Sequence, residues 1–125
     1  MKTVIATKEA PAAIGPYSQA VEAGGFIFIS GQLPVNPASG ALEGADAAAQ
    51  TEAAIRNIAA ILKARGLSLD SVVKTTVFMT DLGAFPKMNE TYARYFNADP
   101  PARATIEVKA LPKGAMVEIE AVALK

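Results

Sequence analysis

Residues 24–33, with the sequence Gly-Gly-Phe-Ile-Phe-Ile-Ser-Gly-Gln-Leu, decide the fold. The four large apolar residues at 26–29 predict a β-strand. Because successive side chains of a strand point to opposite faces, both faces of this strand are apolar. A strand of this kind is covered on both sides in a folded protein. The two glycines before it are typical of a tight hairpin turn, which predicts a partner strand over residues 18–22.

Two helices are predicted from apolar positions that recur every three or four residues. The first covers residues 46–65, with Asp46 as its N-cap and Gly66 as the residue that ends it. The second covers residues 84–96. Its buried stripe is expected to consist of Phe85, Met88, Tyr92 and Phe96.

Four more segments predict strands because they are β-branched or alternate between apolar and polar residues: residues 2–7, 72–80, 103–109 and 116–124. The last two are expected to form a hairpin around the turn sequence at residues 111–114. The order of elements predicts one α+β domain over residues 1–125, with a mainly antiparallel, mixed sheet of about six strands and two helices on one face. Two helices cover only one face of such a sheet, so an oligomer is expected to cover the other.

The composition excludes several kinds of active site. The chain has 125 residues and neither Cys nor His, which excludes thiol nucleophiles, disulfides, Ser-His-Asp triads and His-ligated metals. An all-oxygen Mg²⁺ or Ca²⁺ site stays open, although no calcium-loop motif is present. The net charge of zero argues against nucleic acid as a partner. With no apolar run long enough for a membrane span or a signal peptide, we expect a cytoplasmic protein.

The two strands near the C-terminus carry the charged residues of most interest. If their apolar faces both pack on the core, Arg103, Thr105, Glu118 and Glu120 share the opposite face. An Arg beside a carboxylate is suited to bind an anionic substrate and to move protons. Taken alone, however, this pattern favours a solvated face with cross-strand ion pairs.

Three other places carry residues that are suited to a ligand. Tyr17 follows a Gly-Pro pair on a loop, Ser30-Gly31 ends the apolar strand, and Asn89 borders the buried stripe of the second helix. A glycine at the end of a strand allows a ligand to approach the backbone closely. Each position also has a structural interpretation, which its local pattern alone favours: a packing aromatic, a bulge, and an amide that bonds to a loop.

Taken in order, these segments resemble the RidA (YjgF) family, over about residues 3–123. No single segment is specific, but five in this order and spacing are. They are Gly15-Pro16-Tyr17-Ser18-Gln19-Ala20, Phe28-Ile29-Ser30-Gly31-Gln32, Asn89 with Tyr92 and Phe96, Pro101-Ala102-Arg103-Ala104-Thr105, and Leu111-Pro112 with Val117-Glu118-Ile119-Glu120-Ala121.

The resemblance implies a homotrimer of chorismate-mutase-like architecture, with sheets facing inward, helices outside and active sites between subunits. It also implies hydrolysis of reactive 2-imino or enamine acids, namely 2-iminobutanoate and 2-iminopropanoate, which pyridoxal-phosphate enzymes release. The products are a 2-oxo acid and ammonia, and no cofactor or metal is implied. Hydrolysis of an electrophilic imine needs orientation, one polarising contact and one proton carrier, so a chain without His and Cys is chemically suited to this reaction.

The family's roles carry over to matching residues of this chain. Arg103 is expected to hold the substrate carboxylate through a bidentate fork, and Glu118 to activate the attacking water. The Gly31 carbonyl is expected to accept a hydrogen bond from the imine nitrogen, and the Thr105 backbone N–H to support the carboxylate. Several members have Cys where this chain has Thr105, which a backbone contact tolerates. The other substrate-binding positions implied are Tyr17, Ser30 and Asn89.

Two alternative functions stay open from the sequence. One is a non-catalytic regulatory trimer that binds a small carboxylate, and the other is the endoribonuclease activity reported for some relatives. Retention of both Arg103 and Glu118 favours the deaminase over the simple binder, because a carboxylate binder needs only the arginine. The zero net charge disfavours RNA.

Overall fold

The computed structural model describes all residues, 1–125, as six strands and two α-helices. In chain order they are β1 (Thr3–Ile5), β2 (Ala20–Ala23), β3 (Phe26–Gln32), α1 (Ala47–Lys63), β4 (Val72–Met79), α2 (Phe85–Tyr95), β5 (Ala102–Glu107) and β6 (Val117–Leu124). Single turns of 3₁₀-helix lead into β4, α2 and β6. No helix is long and apolar enough to cross a membrane.

The strands form one six-stranded sheet in the order β1-β2-β3-β6-β4-β5. All neighbours are antiparallel except β4 and β5, which run parallel. The predicted fold class, a mixed sheet of about six strands with two helices, is therefore confirmed. Gly24 and Gly25 both have positive φ angles, at 60° and 83°, and close the predicted hairpin between β2 and β3.

The hairpin predicted from the last two strands is wrong. β4 lies between β5 and β6, so the chain that leaves β5 passes over β4 to reach its place beside β3. The turn at residues 111–114 does exist as a 3₁₀ turn, but it leads into a strand that pairs elsewhere. β5 is left as an edge strand with a single neighbour.

Helix α1 has both of the ends that the sequence predicts. The Asp46 carboxylate accepts a hydrogen bond from the backbone N–H of Ala49 at 2.9 Å and caps the first turn. At the other end, Gly66 has a φ of 71°, and Leu67 N–H donates to the Leu62 carbonyl at 3.0 Å. This pattern is that of a Schellman C-terminus with Gly66 as C′, where a left-handed residue is required.

The core lies between one face of the sheet and the two helices. Its largest fully buried residues come from α1, α2 and the inner positions of β3, β4 and β6: Ile27, Ile55, Ile58, Ile61, Leu62, Val77, Met79, Met88, Val117 and Ile119. The other face of the sheet is left open. On this open face Phe26 is 40% exposed and Phe28 is 45% exposed, whereas Ile27 and Ile29 are buried, so the apolar strand β3 is covered on only one side within the chain.

Candidate active site

The centre of the site is a β-bulge in β3. Ile29 pairs with Ala121 and Gln32 pairs with Ile119, so Ser30 and Gly31 together lie opposite one residue of β6. The bulge brings Gly31 against the side chain of Glu118: a Cβ atom built on Gly31 would lie 2.9 Å from the Glu118 carboxyl carbon. The carboxyl group therefore packs directly on the glycine backbone.

The bulge also anchors the loop that carries Tyr17. The Ser30 hydroxyl donates to the Ser18 carbonyl at 2.6 Å, and the Ser30 N–H donates to the Gln19 carbonyl at 3.0 Å. The buried Gln19 amide accepts from Thr7 N–H and donates to the carbonyls of Thr7, Ala10 and Pro11. One side chain thus ties residues 7, 10 and 11 to the segment that precedes β2.

Tyr17 and Gly31 both line a cavity of about 190 Å³, which is otherwise walled mainly by loop residues 11–14 and 33–40. The Tyr17 ring is half exposed, and its hydroxyl accepts a hydrogen bond from Ile14 N–H at 3.3 Å. Gly31 thus contacts the Glu118 carboxyl group and shares this cavity with Tyr17, although Glu118 itself does not line it. Tyr17 and Ser30 line a second, larger cavity of about 750 Å³ on the open face, together with Glu120.

Glu118 is half-buried on the open face, and its electrostatics are unusual. Burial raises the pKa of the Glu118 carboxyl above its ordinary value, and the negative charge of Glu120, two residues along the same face of β6, raises it further. No basic group lies within 4 Å of this carboxylate. A carboxyl with a raised pKa exchanges protons closer to neutral pH than an ordinary one.

Arg103 lies on the helix-covered face at the edge of the sheet. Its guanidinium carbon lies 4.8 Å from the ring centre of Tyr92 and 5.6 Å from that of Phe85, both on α2. No carboxylate lies within ion-pair distance of this guanidinium. Its positive charge is therefore held by aromatic faces alone, and its N–H donors have no acidic partner in the chain.

The expectation that Arg103 and Thr105 share a face with Glu118 and Glu120 is wrong. Through β4 the register places Thr105 beside the buried Val77, whereas Glu118 lies beside Phe78 on the opposite face. The expectation assumed that the apolar residues of β5 face the core. On this edge strand they face outward instead, and Ile106 is 44% exposed.

The remaining predicted residues lie near Arg103. Thr105 is half-buried two residues further along the same face of β5, and Asn89 is half-buried on α2, between Phe85 and Tyr92 in the chain. The Asn89 amide makes no side-chain hydrogen bond within the chain, unlike the four buried amides of Gln19, Gln32, Gln50 and Asn57. The predicted site residues thus fall into two clusters, one around Gly31 and Glu118 and one around Arg103.

Sequence reasoning assigned Tyr92 and Phe85 only to the buried stripe and missed their contact with Arg103. Their spacing of seven residues places them two turns apart on one face of α2. No local signal in the sequence indicates which strand residue this face meets. The structure contains no group of three or more acidic side chains that is arranged to hold a metal ion.

Comparison with known proteins identifies the class. The sequence profile of the family described as Endoribonuclease L-PSP matches residues 7–125. The chain therefore belongs to this family, which is the RidA (YjgF) family that the sequence resembles.

Among its relatives are two proteins named 2-iminobutanoate/2-iminopropanoate deaminase. The one from Escherichia coli K12 is 49% identical over 128 residues, which cover 100% of this chain and 99% of that protein. The one from Homo sapiens is 48% identical over 125 residues, covering 100% of this chain and 91% of that protein. The crystal structure of E. coli TdcF with bound serine superposes with a TM-score of 0.93 at 42% identity and covers 98% of both chains.

Proposed function

We propose that this protein hydrolyses 2-imino acids, such as 2-iminobutanoate and 2-iminopropanoate, to 2-oxo acids and ammonia. The observation that carries the proposal is the state of Arg103: a half-buried guanidinium without an acidic partner, in a chain about half identical to two proteins named for this activity. A 2-imino acid is small, and its carboxylate is the group through which a protein can bind it most strongly. A guanidinium with free donors in a fork is the group best suited to hold it.

The proposed assembly is a homotrimer of this single domain, residues 1–125, in which the open sheet faces of three subunits pack together. Two features support it. The open face exposes large apolar side chains that nothing in the chain covers, among them Phe28 and Leu124. The two clusters of site residues are also separate within one chain. Contact between subunits would bring Arg103 of one subunit to Gly31 and Glu118 of its neighbour.

In the proposed reaction, Arg103 donates two hydrogen bonds to the substrate carboxylate, and the Thr105 N–H adds a backbone donor. β5 is an edge strand, so alternate backbone groups on its outer side have no strand partner. The Gly31 carbonyl accepts a hydrogen bond from the protonated imine nitrogen. Tyr17, Ser30 and Asn89 line the same cleft, with Ser30 acting mainly through its bonds to the Tyr17 loop.

Glu118 performs the proton transfers. It takes a proton from water as the water oxygen bonds to C2 of the iminium, and the C=N double bond becomes a single bond. Glu118 then gives this proton to the nitrogen. The C–N bond then breaks, ammonia leaves, and the C=O bond forms. The proton of the former hydroxyl group passes to the Glu118 carboxylate or to solvent. Its raised pKa suits a group that must both take up and release a proton near neutral pH.

The test generates 2-iminobutanoate in place with a threonine dehydratase and follows 2-oxobutanoate while semicarbazide competes for the imine. We expect the protein to raise the yield of free 2-oxobutanoate at the expense of the semicarbazone. Unchanged partition at micromolar protein would contradict the proposal. Binding of 2-oxobutanoate without turnover would indicate the alternative role, a regulatory carboxylate binder.

The family description also names an endoribonuclease. The zero net charge of the chain does not favour RNA, because binding of a polyphosphate backbone depends on excess Lys and Arg. We propose that the protein acts in the cytoplasm as an enzyme of metabolite damage control. It would remove reactive imines there before they attack other proteins.

A further inference from the structure

The support of the Arg103 guanidinium is made of aromatic rings rather than carboxylates. Its carbon lies 4.8 Å from the ring centre of Tyr92 and 5.6 Å from that of Phe85, within the range of cation–π attraction. An arginine side chain on an edge strand loses considerable rotamer entropy when it is fixed in one place. The two rings supply attraction that offsets this loss before any ligand arrives.

The Tyr92 ring is itself held in place by the strand next to Arg103. Its hydroxyl oxygen lies 2.6 Å from the Thr75 hydroxyl oxygen, and both residues are buried. Thr75 is the residue of β4 that pairs with Arg103 in the parallel register. Strand pairing therefore places Arg103 beside Thr75, and the Thr75 hydroxyl holds the Tyr92 ring through a hydrogen bond. The ring in turn attracts the Arg103 guanidinium.

An aromatic support has a different chemical consequence from an acidic one. A carboxylate at this position would orient the arginine, but it would also occupy its N–H donors and neutralise its charge. A ring face attracts the cation through its quadrupole and leaves the donors at the edge of the guanidinium plane free. The arrangement presents a charge that is held in place and still available to an anion.

We infer that Tyr92 and Phe85 are positioning residues that seat the guanidinium of Arg103 for a carboxylate, and that Thr75 fixes Tyr92 for this purpose. The inference rests on the proposed function for the identity of the carboxylate, which belongs to a 2-imino acid. Tyr92 contributes more than Phe85 because its ring lies closer to the guanidinium. None of the three needs to touch the reacting atoms.

The test measures two quantities for each variant: KM and kcat in the deaminase assay, and the Kd for 2-oxobutanoate by calorimetry. Tyr92→Leu removes the ring and is expected to raise both KM and Kd about tenfold, with a much smaller change in kcat. Tyr92→Phe keeps the ring but loses the hydrogen bond to Thr75 that fixes it, so its KM and Kd are expected to lie between those of the wild type and those of Tyr92→Leu. A wild-type Kd for Tyr92→Phe would overturn the role of Thr75. Thr75→Val is expected to match Tyr92→Phe.

The matched control is Tyr95→Leu on the same helix. Tyr95 lies near Glu52 and Arg56 of α1 and makes no ring contact with Arg103, so its loss is expected to leave Kd and KM unchanged. If Tyr92→Leu and Tyr95→Leu raised the Kd for 2-oxobutanoate equally, the effect would come from helix packing, and the inference would be overturned. A wild-type Kd for Tyr92→Leu would overturn it as well.

Phe85→Leu provides a second variant if Tyr92→Leu does not fold. Phe85 is only partly buried, and its replacement is expected to raise Kd and KM about threefold. An unchanged Kd for the Phe85→Leu protein would contradict the positioning role of Phe85. If the wild-type protein binds 2-oxobutanoate without hydrolysing imines, the proposed reaction fails while the Kd series still supports or overturns the positioning role.

Discussion

Gly31 of β3 and Glu118 of β6 are in such close contact that a methyl group on the glycine would lie 2.9 Å from the carboxyl carbon of the glutamate. The glycine is required by this contact and not by an unusual backbone angle, since its φ is not positive. The contact lies at the β-bulge formed by Ser30 and Gly31. The position of the proposed proton carrier therefore depends on a missing side chain.

Gly31→Ala is expected to displace the Glu118 carboxylate while the fold persists, because the colliding atoms belong to a flexible side chain. A displacement of about 1 Å at a reacting group costs roughly 100-fold in rate, so kcat is expected to fall by about that factor. The measurement is kcat beside thermal unfolding. Full activity in a folded Gly31→Ala protein would contradict the role of this contact.

Glu120→Gln is expected to shift the acid limb of the activity profile. The charge of Glu120 raises the pKa of Glu118, so its removal lowers that pKa toward the ordinary carboxyl value. The reaction needs Glu118 ionised to accept a proton from water, so the limb of kcat/KM against pH moves to lower pH in the variant. A limb that stays in place, or moves upward, would show that Glu120 does not set this ionisation.

Glu118→Gln is expected to stabilise the fold at neutral pH. The pKa of Glu118 is raised in the folded state, so the folded protein keeps this proton to a higher pH than the unfolded chain does. Its contribution to stability is full below the ordinary carboxyl pKa and is lost as pH rises through the raised value. The gain in melting temperature from Glu118→Gln should therefore appear above that window and vanish below it. A gain that is independent of pH would disagree with this linkage.

The sequence predicts where the helices and strands lie along the chain better than it predicts which strands are neighbours in the sheet. Spacing of apolar residues and caps placed α1 and its ends at Asp46 and Gly66, because those signals are local. The position of β6 between β3 and β4 depends on contacts between distant segments, which local spacing does not encode. For this reason the alternation along β5 predicts an apolar side that faces the core, whereas Ile106 faces the open side.

In the candidate site, too, the sequence predicts individual residues better than the contacts between distant ones. The strand patterns singled out Arg103, Glu118 and Gly31, and resemblance to a family supplied their roles; the contact between Gly31 and Glu118 fits roles in one site. Tyr92 was predicted correctly as a buried residue, since most of its surface is covered. Its contact with Arg103 was missed because a ring that fills the core with its body still offers a face to a cation.

Mixing two inactive variants tests whether subunits share the site. The clusters around Arg103 and around Glu118 lie on opposite faces of the sheet in one chain. In a trimer that joins them across the interface, Arg103→Ala and Glu118→Gln subunits would complement each other. After unfolding and refolding together, the mixture is expected to recover activity that neither variant has alone. No recovery, with mixed trimers shown by mass spectrometry, would place both groups in one subunit.

The carboxylate clamp at Arg103 is tested most directly by the imine-hydrolysis rate of the Arg103→Lys protein in the threonine dehydratase and semicarbazide assay. Lysine keeps the positive charge but loses the planar fork that holds a carboxylate at two points. Loss of a charge-assisted contact of this kind costs about 2–5 kcal/mol. We therefore predict that kcat/KM falls roughly 30- to several-thousand-fold while the fold and assembly match wild type. A kcat/KM close to that of the wild-type protein would contradict the carboxylate clamp, and with it the proposed deaminase mechanism.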